Sequence, residues 1–366
     1  MYTKMKKNTE NWFYPVVTKN SVNLVNRTIK SGYVNEGKVA VKLAEKIAKI
    51  CNRKYATTVS SGSTGLVCSL MAVGVEKNSI VILPAFSFIA TANAITLIGA
   101  IPVFVDIDKE TFCIDHLKLK EKINFILSKK KKISAVVTVE VNGRSPNNFY
   151  IQNLCKKFKI PFITDSAEAL GSTYFKKPLG GFGDLSVISL SPNKIITSAQ
   201  GGIVMSNNKR LIKNVIAIKL HGNHIKGDGG ADKFYRYGLN FKLSDMHAAL
   251  ALGQINEIKK RLNNVVKLNK EYEKKLSEYG FKFPKMVGDG KRLWIDCLVK
   301  NKKKAIKFLK EKKISYREFW HPLNQQESYK NYRSKLTNAN FVSQRGLWLA
   351  SNFNLKVKDI TDAFKK

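Results

Sequence analysis

Leu185-Ser-Val-Ile-Ser-Leu-Ser-Pro-Asn-Lys194 is an apolar, strand-like run that ends in a Ser-Pro-Asn turn and delivers a lysine. A run without a polar face predicts a strand covered on both sides, here Leu185–Leu190. Working outward, comparable runs lie near Tyr55–Ser60, Ser79–Leu83, Pro102–Asp106, Ile133–Val139, Pro161–Thr164 and Gly201–Ser206. Helical patterns separate them. Val39, Leu43, Ile47 and Ile50 share one face while Lys42, Lys46 and Lys49 share the other. Leu66–Val73 and Ile89–Ile98 read as buried helices, and Asn148–Phe158 as an amphipathic one. The alternation predicts an α/β fold, a mainly parallel seven-stranded sheet with helices on both faces. Ligands of such sheets bind beyond the carboxyl ends of the strands. Lys194 stands at that edge.

After about residue 245 the texture changes. Ala248–Leu276 reads as one long helix, followed by a strand at Arg292–Val299 and a lysine-rich helix at Lys302–Lys312. The expected division is a large domain over residues 1–245 and a smaller C-terminal α+β domain over 246–366. Lys226-Gly-Asp-Gly-Gly-Ala-Asp232 reads either as a plain surface connection or as a lid over the site.

The 366 residues carry a formal net charge of +37, which asks whether the partner is a nucleic acid or an anionic membrane. The lysines are spread from Lys4 to Lys366, in runs such as Lys129–Lys132 and Lys302–Lys304, without interleaved aromatics or abundant arginine. The sequence therefore argues against nucleic acid and for a lysine-biased surface. No stretch reaches the ~20 apolar residues of a membrane span, and no apolar segment follows the charged start. Cys51, Cys68, Cys113, Cys155 and Cys297 are odd in number and unpaired in spacing, as reduced cytoplasmic thiols would be. His221 and His224 lack further ligands at metal spacing, so no metal is expected.

Two more segments share the edge of Lys194. Ser61-Gly-Ser-Thr-Gly65 follows a strand and opens a helix, so Gly62, Ser63 and Thr64 offer backbone amides and hydroxyls to a phosphate; a simple helix cap reads equally well. Asp165 closes Ile160-Pro-Phe-Ile-Thr-Asp165, and is either a partner for a cationic ring nitrogen or the cap of Asp165-Ser-Ala-Glu168. A phosphate cup, a carboxylate and a strand-end lysine, in that order, are what pyridoxal phosphate requires. Phe88 could stack on its ring or pack in the core, Glu168 could lie near its phenolic oxygen, and Ser189 could donate to its phosphate. A desolvated Lys194 would act as nucleophile and then as base.

With these residues in place the chain resembles the DegT family of pyridoxal-phosphate-dependent sugar-nucleotide aminotransferases, from about Ser31 to Leu355. The resemblance rests on Ser31-Gly-Tyr-Val, Ser60-Ser-Gly-Ser-Thr, Pro84-Ala-Phe-Ser-Phe-Ile-Ala-Thr-Ala-Asn-Ala, and Gly99-Ala-Ile-Pro-Val-Phe-Val-Asp-Ile-Asp108. It continues through Thr164–Gly171, Ser189–Lys194, His221-Gly222 and Gly238-Leu-Asn-Phe-Lys-Leu-Ser-Asp245. It implies fold type I, a homodimer, Lys194 as the lysine joined covalently to the cofactor, Asp165 on the ring nitrogen and Phe88 on the ring face. It also implies phosphate contacts from Ser189, from Gly62–Thr64, and from Asn240 of the partner subunit. Tyr316-Arg-Glu-Phe-Trp-His-Pro-Leu-Asn324 is similar to a substrate-binding segment of perosamine-synthase-like members. Tyr33, Tyr316, Arg317 and His321 are therefore the expected substrate contacts.

The chain departs from the family pattern at three places. Glu168 is glutamine in many relatives and resembles the subset acting at C4; Glu140-Val-Asn-Gly143 lacks a common histidine; and Ala199-Gln-Gly-Gly202 replaces a more glycine-rich turn. Related 3-dehydratases carry histidine in place of Lys194, so lysine implies amino transfer. The expected activity is transfer from glutamate to a nucleotide-linked 4-keto-6-deoxyhexose, giving a 4-amino-4,6-dideoxy sugar nucleotide for surface glycans. The alternatives are a C3-specific aminotransferase and, from another class, a basic DNA-binding regulator on a degenerate fold.

Overall fold

The computed structural model describes residues 12–223, 234 and 236–364. Seven strands form the main sheet: β1 (Tyr55–Val59), β2 (Ile80–Pro84), β3 (Ile101–Val105), β4 (Ile133–Val139), β5 (Phe162–Asp165), β6 (Leu185–Ser189) and β7 (Gly202–Ser206). Each lies within a residue of its expected bounds. Their order is β1-β7-β6-β5-β4-β2-β3. Only β7 runs against the rest, antiparallel to both β1 and β6. The other pairs are parallel. The Lys226–Asp232 stretch lies outside the described residues.

Side chains alternate between two apolar cores, as the period of a doubly covered sheet requires. Val81, Leu83, Ala135, Val137 and Ile163 face one core, shared with α2 (Lys38–Ile50) and α3 (Gly62–Ala72). Ile82, Val136 and Phe162 face the other, shared with α5 (His116–Ser128) and α6 (Asn148–Lys157). The α2 pattern falls as expected: Leu43 and Ile47 are buried, and Lys42, Lys46 and Lys49 are exposed. Register brings the strand ends together. Asp165 pairs with Val139 on one side and Val187 on the other, while Gly202 pairs with both Val59 and Ser189.

A second sheet, β8 (Phe281–Lys282), β9 (Ile295–Val299), β10 (Tyr316–Glu318) and β11 (Gly346–Leu349), is antiparallel in the order β8-β9-β11-β10. The expected helix over Ala248–Leu276 is two helices, α8 (Asp245–Leu252) and α9 (Ile258–Leu276), separated by a 3-10 turn at Ile255–Glu257. The break has a packing cause. At Gly253 the chain presses on α1 (Lys19–Lys30) so closely that a Cβ would lie 2.5 Å from Ser21 N and Cα. Buried Gln254 then turns its amide to the Thr197 and Leu250 carbonyls. The expected 245/246 division falls at the start of α8, which packs on α1 and α2, whereas α9 packs on the second sheet.

The two sheets are fastened by a buried ion triad. Arg144 Nη1 and Nη2 reach Asp296 Oδ2 and Oδ1 at 2.6 and 2.9 Å, and Arg292 Nη1 reaches Oδ1 at 2.8 Å. β9 begins three residues later than the sequence predicts. The N–H groups of Leu293 and Trp294 go instead to Asn142 Oδ1, at 2.9 and 3.0 Å.

Candidate active site

Lys194 is placed by the turn after β6, where its N–H bonds to Ser191 O at 3.1 Å. Its Nζ lies 3.4 Å from Glu168 Oε1, and its side chain retains 11% exposure. Asp165 ends β5 fully buried in the same charge cluster. Burial pushes the Asp165 carboxyl up; the Thr91 hydroxyl, the Ala167 N–H and the Lys194 charge pull it back. Thr91 Oγ1 donates to Asp165 Oδ2 at 2.7 Å and Ala167 N to Oδ1 at 3.2 Å. Ala167–Gly171 are turns and no helix follows, so the helix-capping alternative for Asp165 and Glu168 is not the one the chain adopts. Burial also raises the Glu168 carboxyl, against the Lys194 charge and the Asn142 N–H, which donates to Oε2 at 3.2 Å.

Ser61 and Thr64 form the helix cap that the sequence allows, while Gly62 and Ser63 leave amides free for the phosphate it also allows. Ser61 Oγ accepts from Thr64 N at 3.1 Å and Thr64 Oγ1 accepts from Ser61 N at 3.0 Å, a reciprocal cap that occupies the Thr64 hydroxyl. The N–H groups of Gly62 and Ser63, in the first turn of α3, have no intrahelical acceptor and point out of a helix N-terminus. A Cβ on Gly62 would lie 3.0 Å from Ser189 Cβ, so the glycine keeps Ser189 and the helix end in contact. Ser189 Oγ lies 2.9 Å from Ser191 Oγ.

The remaining expected residues divide. Phe88 is half exposed, with its ring 6.5 Å from Trp320, beside the tail whose Leu323 N–H bonds to Ala85 O at 2.7 Å. Arg317 stacks over Trp12 and Trp348 at 5.3 and 5.7 Å, and His321 is exposed next to Trp320. Tyr316, on the opposite face of β10 from Arg317, packs on the core beneath the second sheet. Tyr33 donates its hydroxyl to Glu36 O, and Asn240 bridges Leu220; within the chain neither bonds to Lys194, Asp165 or Glu168. Three contributors went unassigned in the sequence: Thr91, Asn142 and Trp294. Trp294 directly precedes β9 of the second sheet, and its ring lies 5.0 Å from Lys194 Nζ. Among the described residues no cluster suits a metal.

One partly buried lysine beside two buried carboxylates leaves the cluster short of positive charge, and among the described residues Asp165 Oδ1 accepts only a main-chain N–H. A cationic ring nitrogen would supply what is missing, and the free amides of the helix N-terminus beside Ser189 would receive a dianion. The residues fit pyridoxal phosphate. This architecture and donor set define a fold type I enzyme of the pyridoxal phosphate class.

A scan of family models matches residues 15–366 to the DegT/DnrJ/EryC1/StrS aminotransferase family. The chain is a member of that family and an aminotransferase, and the family's aminotransferases use pyridoxal phosphate. It is 28% identical to the GDP-perosamine synthase of Vibrio cholerae over 96% of this chain and 97% of that protein. It is 32% identical to that of Escherichia coli O157:H7 over 71% and 73%. Helicobacter pylori PseC, described as an aminotransferase involved in the biosynthesis of pseudoaminic acid, superposes with a TM-score of 0.89 at 25% identity, covering 96% of each chain.

Proposed function

We propose that this chain is a cytoplasmic, homodimeric aminotransferase that moves an amino group from glutamate to C4 of a nucleotide-linked 4-keto-6-deoxyhexose, for surface glycan synthesis. The observation that carries this reading is Lys194 Nζ held at 3.4 Å from Glu168 in one charge cluster with Asp165. The relatives named GDP-perosamine synthase support a sugar-nucleotide acceptor, and glutamate at position 168 supports C4 over C3. Five free, buried cysteines accord with a reducing compartment. Among the described residues no helix is long and apolar enough to cross a membrane. Exposed Tyr237 and Leu239 lie directly before Asn240, so a second copy covering them would bring its Asn240 to the phosphate.

When bound, pyridoxal phosphate supplies the aldehyde that receives the amino group and the ring that withdraws electrons from the donor's Cα. Asp165 holds a proton on the ring nitrogen, a role suited to a carboxylate whose neighbours include only one cation. Lys194 Nζ takes the proton from the donor's Cα and delivers one on the acceptor side. The Gly62 and Ser63 amides and the Ser189 hydroxyl would hold the phosphate, Phe88 would cover the ring, and Arg317 and His321 would meet the acceptor.

The test is spectral and chemical. The protein loaded with pyridoxal phosphate should show the cofactor's long-wavelength band, lose it with glutamate, and turn a 4-keto sugar nucleotide into the 4-amino product by mass spectrometry. Product from a 3-keto panel alone would establish the C3 alternative. Normal turnover by Lys194→Ala would overturn the assignment.

A further inference from the structure

Four residues close a circuit with Lys194 around its ammonium. Asn142 is fully buried with a left-handed backbone, φ 49° and ψ 41°. Its side-chain Oδ1 accepts from Trp294 N at 3.0 Å and its Nδ2 donates to Trp294 O at 3.0 Å. The amide thus pairs with both main-chain groups of one residue, as a neighbouring strand would. Its own N–H donates to Glu168 Oε2 at 3.2 Å. Glu168 reaches Lys194 Nζ through its other oxygen. The Trp294 indole N–H donates to Asn193 O at 3.0 Å, directly before Lys194, and its ring lies 5.0 Å from Nζ. Trp294 is 2% exposed and is backed by Trp12 and Trp348.

We propose that Trp294 and Asn142 form a positioning unit that spans the two domains and sets where Lys194 Nζ lies. Trp294 covers Nζ with an aromatic face, and Asn142 fixes both that face and the Glu168 carboxylate. The proposal rests on the reading of Lys194 as the reacting lysine. The two parts have separate tasks. An aromatic face attracts an ammonium while keeping water from it, so the ring confines Nζ without neutralising it. Asn142 is the hinge of the arrangement because asparagine tolerates a left-handed backbone and brings one donor and one acceptor to bear on Trp294. The register between the domains is then read directly at Nζ.

Three variants test this. Trp294→Leu removes the ring but keeps apolar volume, Trp294→Phe restores an aromatic face, and Asn142→Gly keeps the left-handed backbone without the clamp. The first readout uses the cofactor-free protein: the rate at which an amine-reactive reagent labels Lys194, by peptide mass spectrometry, with the other lysines as internal standards. In Trp294→Leu and Asn142→Gly we expect Lys194 labelling to speed up by about 10-fold, within the range of a desolvated cation–aromatic contact. The other lysines should be unchanged and Trp294→Phe should stay near the parent. In the loaded enzyme kcat with glutamate should fall by about 10- to 30-fold with KM within about twofold, and Trp294→Phe should recover most of it. Unchanged Lys194 labelling in Trp294→Leu, labelling that rises at lysines throughout the chain, or no recovery with phenylalanine would each overturn the proposal. Labelling needs no turnover, so it separates this proposal from the assignment of Lys194, which Lys194→Ala tests.

Discussion

Replacing Asp296 with asparagine removes the only anion from a buried triad that keeps two guanidinium groups. Arg144 depends on it most. Both of its terminal nitrogens bond to Asp296, while its Nε has no partner among the described residues and its face lies 5.0 Å from the Phe112 ring. Arg292 has further acceptors in Asn269 and Pro284, and burial lowers it to about 10, so it stays charged at neutral pH. At Asp296 burial pushes the carboxyl up, but Arg144 and then Arg292 outweigh it and hold it below the ordinary 3.8. The increment a depressed carboxylate contributes is present above its unfolded pKa and lost as pH falls through the folded one. At pH 7.5 Asp296→Asn should forfeit all of it. Removing one partner of a buried pair costs about 3–5 kcal/mol, because the other charge is left stranded. With about 2.1 cal/mol/K of unfolding entropy per residue, the 366 residues convert that to a fall in Tm of roughly 4–6 °C. Scanning calorimetry of the cofactor-free protein at pH 7.5 is the assay. A Tm within about 1 °C of the parent would refute the reasoning, as would an Arg144→Met, Asp296→Asn pair whose losses simply add, since coupled residues must not.

Three shorter predictions accompany it. Burial raises Glu140 from 4.5 to about 7 despite Ser166, Gly180, Asn148 and Arg53. A raised carboxyl stabilises below pH 4.5 and loses that increment, on the order of 3 kcal/mol, as pH climbs to about 7. Glu140→Gln should therefore gain on the parent between pH 5 and 8 in thermal unfolding; Asn148 has an unpartnered Oδ1 that can turn to meet the new amide. A pH-independent difference would count against it. In Gly202→Ala the Cβ would lie 2.7 Å from Ser61 O and 2.9 Å from Gly62 N. Overpacking of about 1–3 kcal/mol on backbone atoms should weaken pyridoxal phosphate binding about 10-fold in an absorbance titration, and an unchanged Kd would contradict the phosphate assignment. Thr91→Val removes the 2.7 Å hydrogen bond to Asp165. A bond to a charged group contributes about 1.5–3 kcal/mol, so the same titration should show a loss of about 10-fold or more that Thr91→Ser restores, and equal binding by all three proteins would exclude the role.

The main sheet was legible because its strands are buried on both faces. A continuous apolar run such as Leu185–Leu190 signals burial without reference to any partner, and the interleaved helices then dictate parallel pairing. The reversal of β7 was not legible. Gly202–Ser206 has the same apolar texture as its neighbours, and only its pairing with Val59 and Ser189 fixes direction. The break between α8 and α9 was hidden for a similar reason. Its cause is Ser21, far upstream, pressing on Gly253, while the local pattern from Ala248 to Leu276 remains helical.

At the site, the legible residues are those whose position relative to a strand end is their signal. Lys194, Asp165, Ser189 and the Gly62–Thr64 turn each follow or end a strand of one sheet, so fold and site are read from the same pattern. Trp294 has no such signal. It is an apolar residue where a strand was expected, and its membership depends on Asn142, whose side chain supplies the hydrogen bonds a strand would have supplied. Tyr316 and Arg317 show the converse. They are adjacent in sequence, and the period of two sends one to the core beneath the second sheet and the other over Trp12 and Trp348. A linear motif cannot distinguish them, because it records neighbours along the chain and not which face of the strand each occupies. Contributions that cross between the two sheets are set by register, and register is fixed here by the Arg144–Asp296 pair together with the Asn142–Trp294 pairing.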